Sequence, residues 1–353
     1  MLKQRSNVQY GMTDTRSVPT LDDVAKAAGV STATVSRCLN APERVVEKTR
    51  QRVMTAVDAL GYTPNFGARA MAAKRTFTIG AIIPTMDNAI FARGIQAFQE
   101  TLHARGYTLL VASSSYDAQV EADQIRALVA RGADGLFLIG YDRDPAVYGY
   151  LRQQSVPTIL SWAFDASRSH AAVGFDNRKG MRMMADHVMS LGHRHIAVIS
   201  GVLAGNDRTT ERMMGIRDAF AARGINPDSI PVIETPYEVD NGAEVFRTLM
   251  SMTPRPTAVM CGNDVLGVGA LRSANALGLD VPKDVSITGF DDIDFARITS
   301  PQLATVHVSH KDMGRTAAET LIDMVEKRRA TASIEMPVSL KLRGSLAPPE
   351  RTL

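Results

Sequence analysis

At 353 residues, with 45% hydrophobic and 22% charged residues, the chain has the composition of a soluble globular protein and the length for two or three compact units, which excludes a disordered or fibrous one. No run of 18 apolar residues offers a membrane span, residues 1–16 lack the apolar core of a signal peptide, and Cys38 and Cys261 form no C-x-x-C motif; a cytoplasmic protein without metal, cofactor or membrane contact is expected. The formal charge of +3 conceals opposite halves, +6 over residues 1–76 and −3 over residues 77–353, which suggests an anionic partner for the first part alone.

Residues 1–16 are polar and aperiodic and read as a disordered tail. Thr20-Leu21-Asp22-Asp23 is a capping box that predicts a helix with Leu21, Val24, Ala25 and Ala28 on one face, ended by Gly29. Ser31 caps a second helix to about Leu39, with Val35 and Leu39 inward. Two short helices across a Gly-Val turn suggest a helix-turn-helix. A third helix, about 47–60, adds Val53, Met54, Val57 and Leu60, so residues 17–63 can close a small core. Residues 64–76, opened by Pro64 and Asn65, read as a short helix and linker.

Beyond Phe77 short apolar runs at 79–83, 107–112, 135–139, 158–160, 196–199, 258–260 and 285–287 alternate with amphipathic helices. Glycines such as Gly106, Gly132, Gly192, Gly224 and Gly278 stand where those helices should end. This alternation predicts two doubly wound parallel sheets, with ligands beyond the carboxyl ends of the strands.

Several motifs in order carry a resemblance: the capping box with Ser31-Thr32-Ala33-Thr34-Val35-Ser36-Arg37, then Gly61-Tyr62-Thr63-Pro64-Asn65, Leu191-Gly192-His193, Gly262-Asn263-Asp264, Gly289-Phe290-Asp291-Asp292, Thr305-Val306 and Met313-Gly314. With them the chain resembles the lactose-repressor (LacI/GalR) family of bacterial transcription regulators. The resemblance implies a helix-turn-helix headpiece, a hinge helix, and an α/β, periplasmic-binding-protein-like effector domain of two lobes. It places the N-lobe at about 77–175 and 307–333, the C-lobe at about 176–305 and 335–345, and a tail at 346–353. It also implies a homodimer or tetramer on pseudo-palindromic double-stranded operator DNA, acting as a repressor. Tyr116-Asp117, Gly174-Phe175-Asp176-Asn177 and Asn206-Asp207-Arg208 are similar to the gluconate-repressor-like branch, which makes a sugar or sugar acid the expected effector.

By position in the family motif, Thr32, Ala33 and Arg37 are the base-reading residues. Arg37 can donate twice to a guanine edge, and Ala33 can offer a methyl contact. Ser31, Thr34, Ser36 and Asn40 suit phosphate oxygens, although each small hydroxyl can equally cap or solvate its helix. Asn65, Ala68, Arg69 and Met71 fall on the minor-groove hinge, with Met71 where the family usually has a wedging leucine. In the effector domain the resemblance assigns Phe91, Trp162 and Tyr237 as stacking rings, Arg212 as the grip on hydroxyls or a carboxylate, and Asp264 as the acceptor, with Asn263 beside it supporting the loop or the ligand. Asp87, Asn88 and His310 are further lining residues, while Trp162 reads equally well as core.

Asp291-Asp292-Ile293-Asp294 reads as a solvated loop rather than a metal site, and His187, His193 and His195 form no zinc pattern. With no nucleophile–base set, catalysis is not expected. The rival readings are a periplasmic-type solute receptor, a sugar-modifying enzyme, and a repressor responding to a purine or nucleoside.

Overall fold

The computed structural model describes residues 18–63, 75–87, 89–327 and 333–350. The expectations for the tail 1–16 and for Asn65, Ala68, Arg69, Met71 and Asn88 lie outside the described residues. The chain divides into two compact units, 1–76 and 77–353.

The first unit holds α1 (Leu21–Ala28), α2 (Thr32–Asn40) and α3 (Glu47–Leu60). The capping box forms: Thr20 N donates to Asp23 Oδ2 at 2.9 Å and Asp23 N to Thr20 Oγ1 at 3.3 Å. Gly29 ends α1 at φ 62, a left-handed conformation that a side chain would strain. Val24, Val35, Cys38, Val53, Ala56 and Val57 make the core, and Tyr62 closes it. Two inward assignments are thereby corrected: Met54 and Leu60 are exposed, because α3 turns the 53/56/57 set inward. Leu39 packs half-buried against this core as expected, and Cys38 joins Val35 inside it.

The second unit has two six-stranded sheets. The N-lobe sheet contains β1 (Thr78–Ile83), β2 (Thr108–Ser113), β3 (Gly135–Ile139), β4 (Thr158–Ser161), β5 (Ala172–Gly174) and β11 (Ile334–Glu335). The C-lobe sheet contains β6 (Ile196–Ser200), β7 (Val232–Glu234), β8 (Ala258–Cys261), β9 (Ser286–Asp291), β10 (Ala304–Val308) and β12 (Val338–Lys341). Their orders are β11-β5-β4-β3-β1-β2 and β12-β10-β9-β8-β6-β7; every pairing is parallel except β12 on β10. The helices are α4 (Ala89–Ala104), α5 (Ala118–Ala130), α6 (Pro145–Gln153), α7 (Asn177–Ser190), α8 (Asp207–Ala221), α9 (Val239–Met250), α10 (Asp264–Ala276), α11 (Asp294–Ile298) and α12 (His310–Val325). Strands β1 and β3 are buried along their whole length, which is why they read as continuous apolar runs.

Three boundaries differ from expectation. His307 and Val308 extend β10 in the C-lobe, because Val306 and His307 pair with Phe290 and Asp291 of β9. Glu335 stays in the N-lobe, in register with Gly174. Residues 346–350 are no free tail: the Ala347 carbonyl lies 2.8 Å from His193 Nε2 and accepts from Ser286 Oγ at 3.0 Å.

Candidate functional site

On α2, Thr32, Ala33, Arg37 and Asn40 are exposed while Val35 and Cys38 face the core, so the helix presents one short-chained polar face with a single arginine in it. The Ser31 hydroxyl accepts from Thr34 N at 3.2 Å and lies 2.9 Å from the Thr34 hydroxyl, which makes Ser31 the N-cap. Asn40 Nδ2 donates to Ser36 Oγ at 3.3 Å. Arg37 has no ion-pair partner among the described residues, whereas Lys26 and Arg50 are tied to Asp22 and Glu47. A free guanidinium among small side chains can approach the edge of a base pair.

Within the second unit the two lobes meet in a cleft that is closed. Tyr141 N, after β3, donates to Asp207 Oδ2 at 2.5 Å; Asn177 Nδ2 donates to the Trp162 carbonyl at 2.9 Å; Arg93 pairs with Asp294. At its floor Phe91, Tyr116 and Trp162 of the N-lobe face Arg208, Arg212 and Asp291 of the C-lobe around a pocket of about 20 Å³. Tyr116 and Tyr237 separate it from an outer cavity of about 490 Å³ that reaches Asp87 and Phe295. Tyr116, Trp162 and Asp291 all hold left-handed backbone, at φ 60, 61 and 104. Such strained residues cluster where function requires them.

Asp291 is fully buried at the carboxyl end of β9. Its Oδ1 accepts from Arg212 Nη2 at 3.2 Å and lies 3.9 Å from His310 Nε2, while Oδ2 has no partner among the described residues. Burial pushes its pKa up, but Arg212 and His310 outweigh that and hold the carboxyl below its ordinary value. Arg212 is itself fixed: Nε donates to Asn177 Oδ1 at 2.8 Å, Nη1 to the Gly262 carbonyl at 2.7 Å, and its guanidinium carbon stands 3.7 Å over the Phe290 ring. Tyr116 keeps 39% of its surface exposed, and desolvation of the rest pushes its phenol pKa up to about 12. The Tyr237 hydroxyl lies 2.5 Å from Thr209 Oγ1.

Phe91, Trp162, Arg212 and Tyr237 thus come together as expected from the sequence, with Asp87 in the outer cavity and His310 behind Trp162. One assignment is overturned. Asp264 does not face the cleft: it is fully buried, with Oδ1 accepting from Thr305 Oγ1 at 2.5 Å and Oδ2 from Ile293 N at 2.8 Å. Burial, then the neighbouring Asp291, raises its pKa well above the ordinary carboxyl value. Asn263 takes the first of its two expected roles, support of the loop, by capping α10 and accepting from Leu266 N at 3.0 Å.

The carboxylate that lines the cleft floor is Asp291, and with its neighbour Asp292 it is buried, so the reading of 291–294 as a solvated loop fails for these two. Asp292 is held by Arg297, Arg343 and His307. Of the two readings of Trp162 the structure takes the core one, since it is 1% exposed and His310 stacks on it at 5.9 Å and 26° while Phe91 and Phe137 pack at 5.2 and 6.1 Å. Its six-membered ring fills the space where Gly94 lacks a Cβ. Arg208, Asn206 and Tyr116 were not predicted as site residues. The available signal was positional, since Asp291 ends a strand and ligands of such sheets sit beyond strand ends.

Residues 20–65 match the bacterial regulatory proteins of the lacI family, and residues 185–346 match a periplasmic binding protein-like domain. The chain is 31% identical over 332 residues to the HTH-type transcriptional repressor PurR of Photobacterium profundum, covering 93% of this chain and 98% of that one. The lac repressor dimer bound to operator and the anti-inducer ONPF superposes with a TM-score of 0.83 at 26% identity, over 93% of this chain and 99% of that one. The transcriptional regulator CelR–cellobiose complex gives 0.69 at 28% identity over the same shares. These relatives are regulators of transcription, not enzymes.

Proposed function

We propose, on the premise that this chain belongs to the lacI family of bacterial regulatory proteins and is a DNA-binding transcription repressor, that the signal it senses is a sugar or a sugar acid. The observation that carries this reading is Asp291, a buried carboxylate pinned through one oxygen by Arg212 and, among the described residues, unpaired at the other, beneath Phe91, Tyr116 and Tyr237. An acceptor fixed beside aromatic walls suits a hydroxyl-bearing ring with an apolar C–H face. The cellobiose complex of CelR supports the same chemistry. A purine is the second reading, favoured by the PurR relatives, because a base also fits between rings and a carboxylate.

The ligand acts by preferring one of two lobe arrangements that differ in operator affinity, and the coupling is reciprocal. The chain works in the cytoplasm as a homodimer on a pseudo-palindromic operator. Arg37 donates to a guanine edge with Thr32 and Ala33 beside it, while Ser31, Thr34, Ser36 and Asn40 meet phosphates. Asn65, Ala68, Arg69 and Met71 serve the minor groove. Thermal-shift titration of the full chain with sugars, gluconate and purines tests the effector class, and a purine as the sole stabiliser refutes the carbohydrate reading. In a mobility-shift assay Arg37→Ala abolishes the specific operator complex and spares salt-sensitive non-specific binding; an unchanged specific complex removes Arg37 from base reading.

A further inference from the structure

Among the described residues, three polar side chains in the cleft are more than nine-tenths buried and carry an atom without a partner: Trp162 Nε1, Asp291 Oδ2 and His310 Nε2. Buried polar groups are nearly always satisfied, so three gathered in one place call for a partner from outside the chain. They are neighbours. The Trp162 and His310 rings stack, His310 Nε2 lies 3.9 Å from the Asp291 carboxylate, and Trp162 and Asp291 both line the inner pocket.

With Phe91, Phe137, His310 and Gly94 packed around it, Trp162 has no free face to offer a ring. What it offers is its indole N–H, which can only donate. Asp291 Oδ2, kept ionised beside Arg212, can only accept. One atom that serves both must accept and donate at once. A hydroxyl oxygen does so; a carboxylate oxygen cannot donate, and a purine ring nitrogen does one or the other. The inner pocket, at about 20 Å³, has room for a group the size of a hydroxyl and not for a ring, whereas the outer cavity beyond Tyr116 and Tyr237, at about 490 Å³, accommodates the rest of a ligand.

We infer that Trp162 is a specificity-determining residue whose indole N–H, together with the Asp291 carboxylate across the cleft, reads a single hydroxyl group of the effector. This rests on the carbohydrate reading of the site and makes one ligand hydroxyl a further link between the lobes, beside the direct bonds that already join them.

The test uses the full chain with D-glucose, D-ribose and D-gluconate, the monodeoxy analogues of whichever binds, and hypoxanthine, with affinities measured by calorimetry. Removing one particular hydroxyl weakens binding at least tenfold, and the other single removals cost far less. Trp162→Phe weakens the parent compound about as much and erases its advantage over that one deoxy analogue, whereas a purely structural tryptophan would weaken both alike. A carbohydrate that binds with no such position, or whose discrimination survives in Trp162→Phe, overturns the inference and leaves the carbohydrate reading standing. If Trp162→Phe does not fold, the deoxy series on the unaltered chain decides alone. Binding of hypoxanthine only, or of none of these compounds, overturns both.

Discussion

Into one cleft the N-lobe sends Phe91, Tyr116 and Trp162, rings carried on the segments after β1, β2 and β4, while the C-lobe sends Arg208, Arg212 and Asp291. The two sets are held differently. Arg212 and Asp291 are fixed by direct bonds inside their own lobe, from Arg212 to Asn177, Gly262 and Asp291. The rings are held by packing, which tolerates a change of shape more readily than a buried charge tolerates the loss of its partner. Recognition on the C-lobe side is therefore preorganised, and the N-lobe side adapts to what is bound.

If that contrast is right, the largest effect belongs to Asp291→Ala. It strands the Arg212 guanidinium in a buried site and is expected to cost about 3–5 kcal/mol in urea denaturation, together with all ligand-induced release from operator. A variant that keeps both would show that the charges are not fixed as described.

Asp264→Ala comes next. It leaves Ile293 N and the Thr305 hydroxyl unpaired, at a cost of about 1–3 kcal/mol, whereas Asp264→Asn retains an acceptor for the amide and a donor for the hydroxyl and folds normally. The pair also predicts opposite pH dependences. The folded pKa of Asp264 is raised, so its contribution is complete below the unfolded value of about 3.9 and is lost as pH rises through the folded one. That of Asp291 is depressed, so its contribution is present above about 3.9 and disappears as pH falls through the folded value. Melting temperatures followed against pH should accordingly show Asp264→Asn gaining on the unaltered chain as pH rises.

On the N-lobe side Phe91→Leu should cost about 1 kcal/mol and weaken ligand binding a few-fold without abolishing the operator response. A loss as complete as that of Asp291→Ala would erase the distinction between the lobes. Smallest is Arg93→Ala at the rim. Its partner Asp294 is 71% exposed, so stability should change by less than about 1 kcal/mol, and any effect should fade at high salt.

Much of the site was legible. Phe91, Trp162, Arg212 and Tyr237 were all placed at the cleft by their positions in recognisable motifs, and the headpiece was legible down to its capping box. The choice between Asp264 and Asp291 was not. Each follows or ends a C-lobe strand, and nothing local distinguishes them. Asp264 was claimed by Ile293 and Thr305, which come from 29 and 41 residues further along the chain. Trp162 was in the right place with two roles open, and core prevails because its faces are covered by Phe91, Phe137 and His310 from three other segments.

What the sequence determined by itself was whatever is set within a turn or two of chain: the caps at Thr20 and Ser31, the stop at Gly29, the apolar periods of strand and helix, and the exposed face of α2 with Arg37 upon it. Those depend on bonds between residues three or four apart. Which carboxylate ends beneath the cleft and which is sealed under it was decided by tertiary structure alone, because Arg212 reaches Asp291 across 79 residues and the lobes meet only once both sheets are built. Charge pairing in a buried site depends on distance in space, and distance along the chain carries almost none of that information.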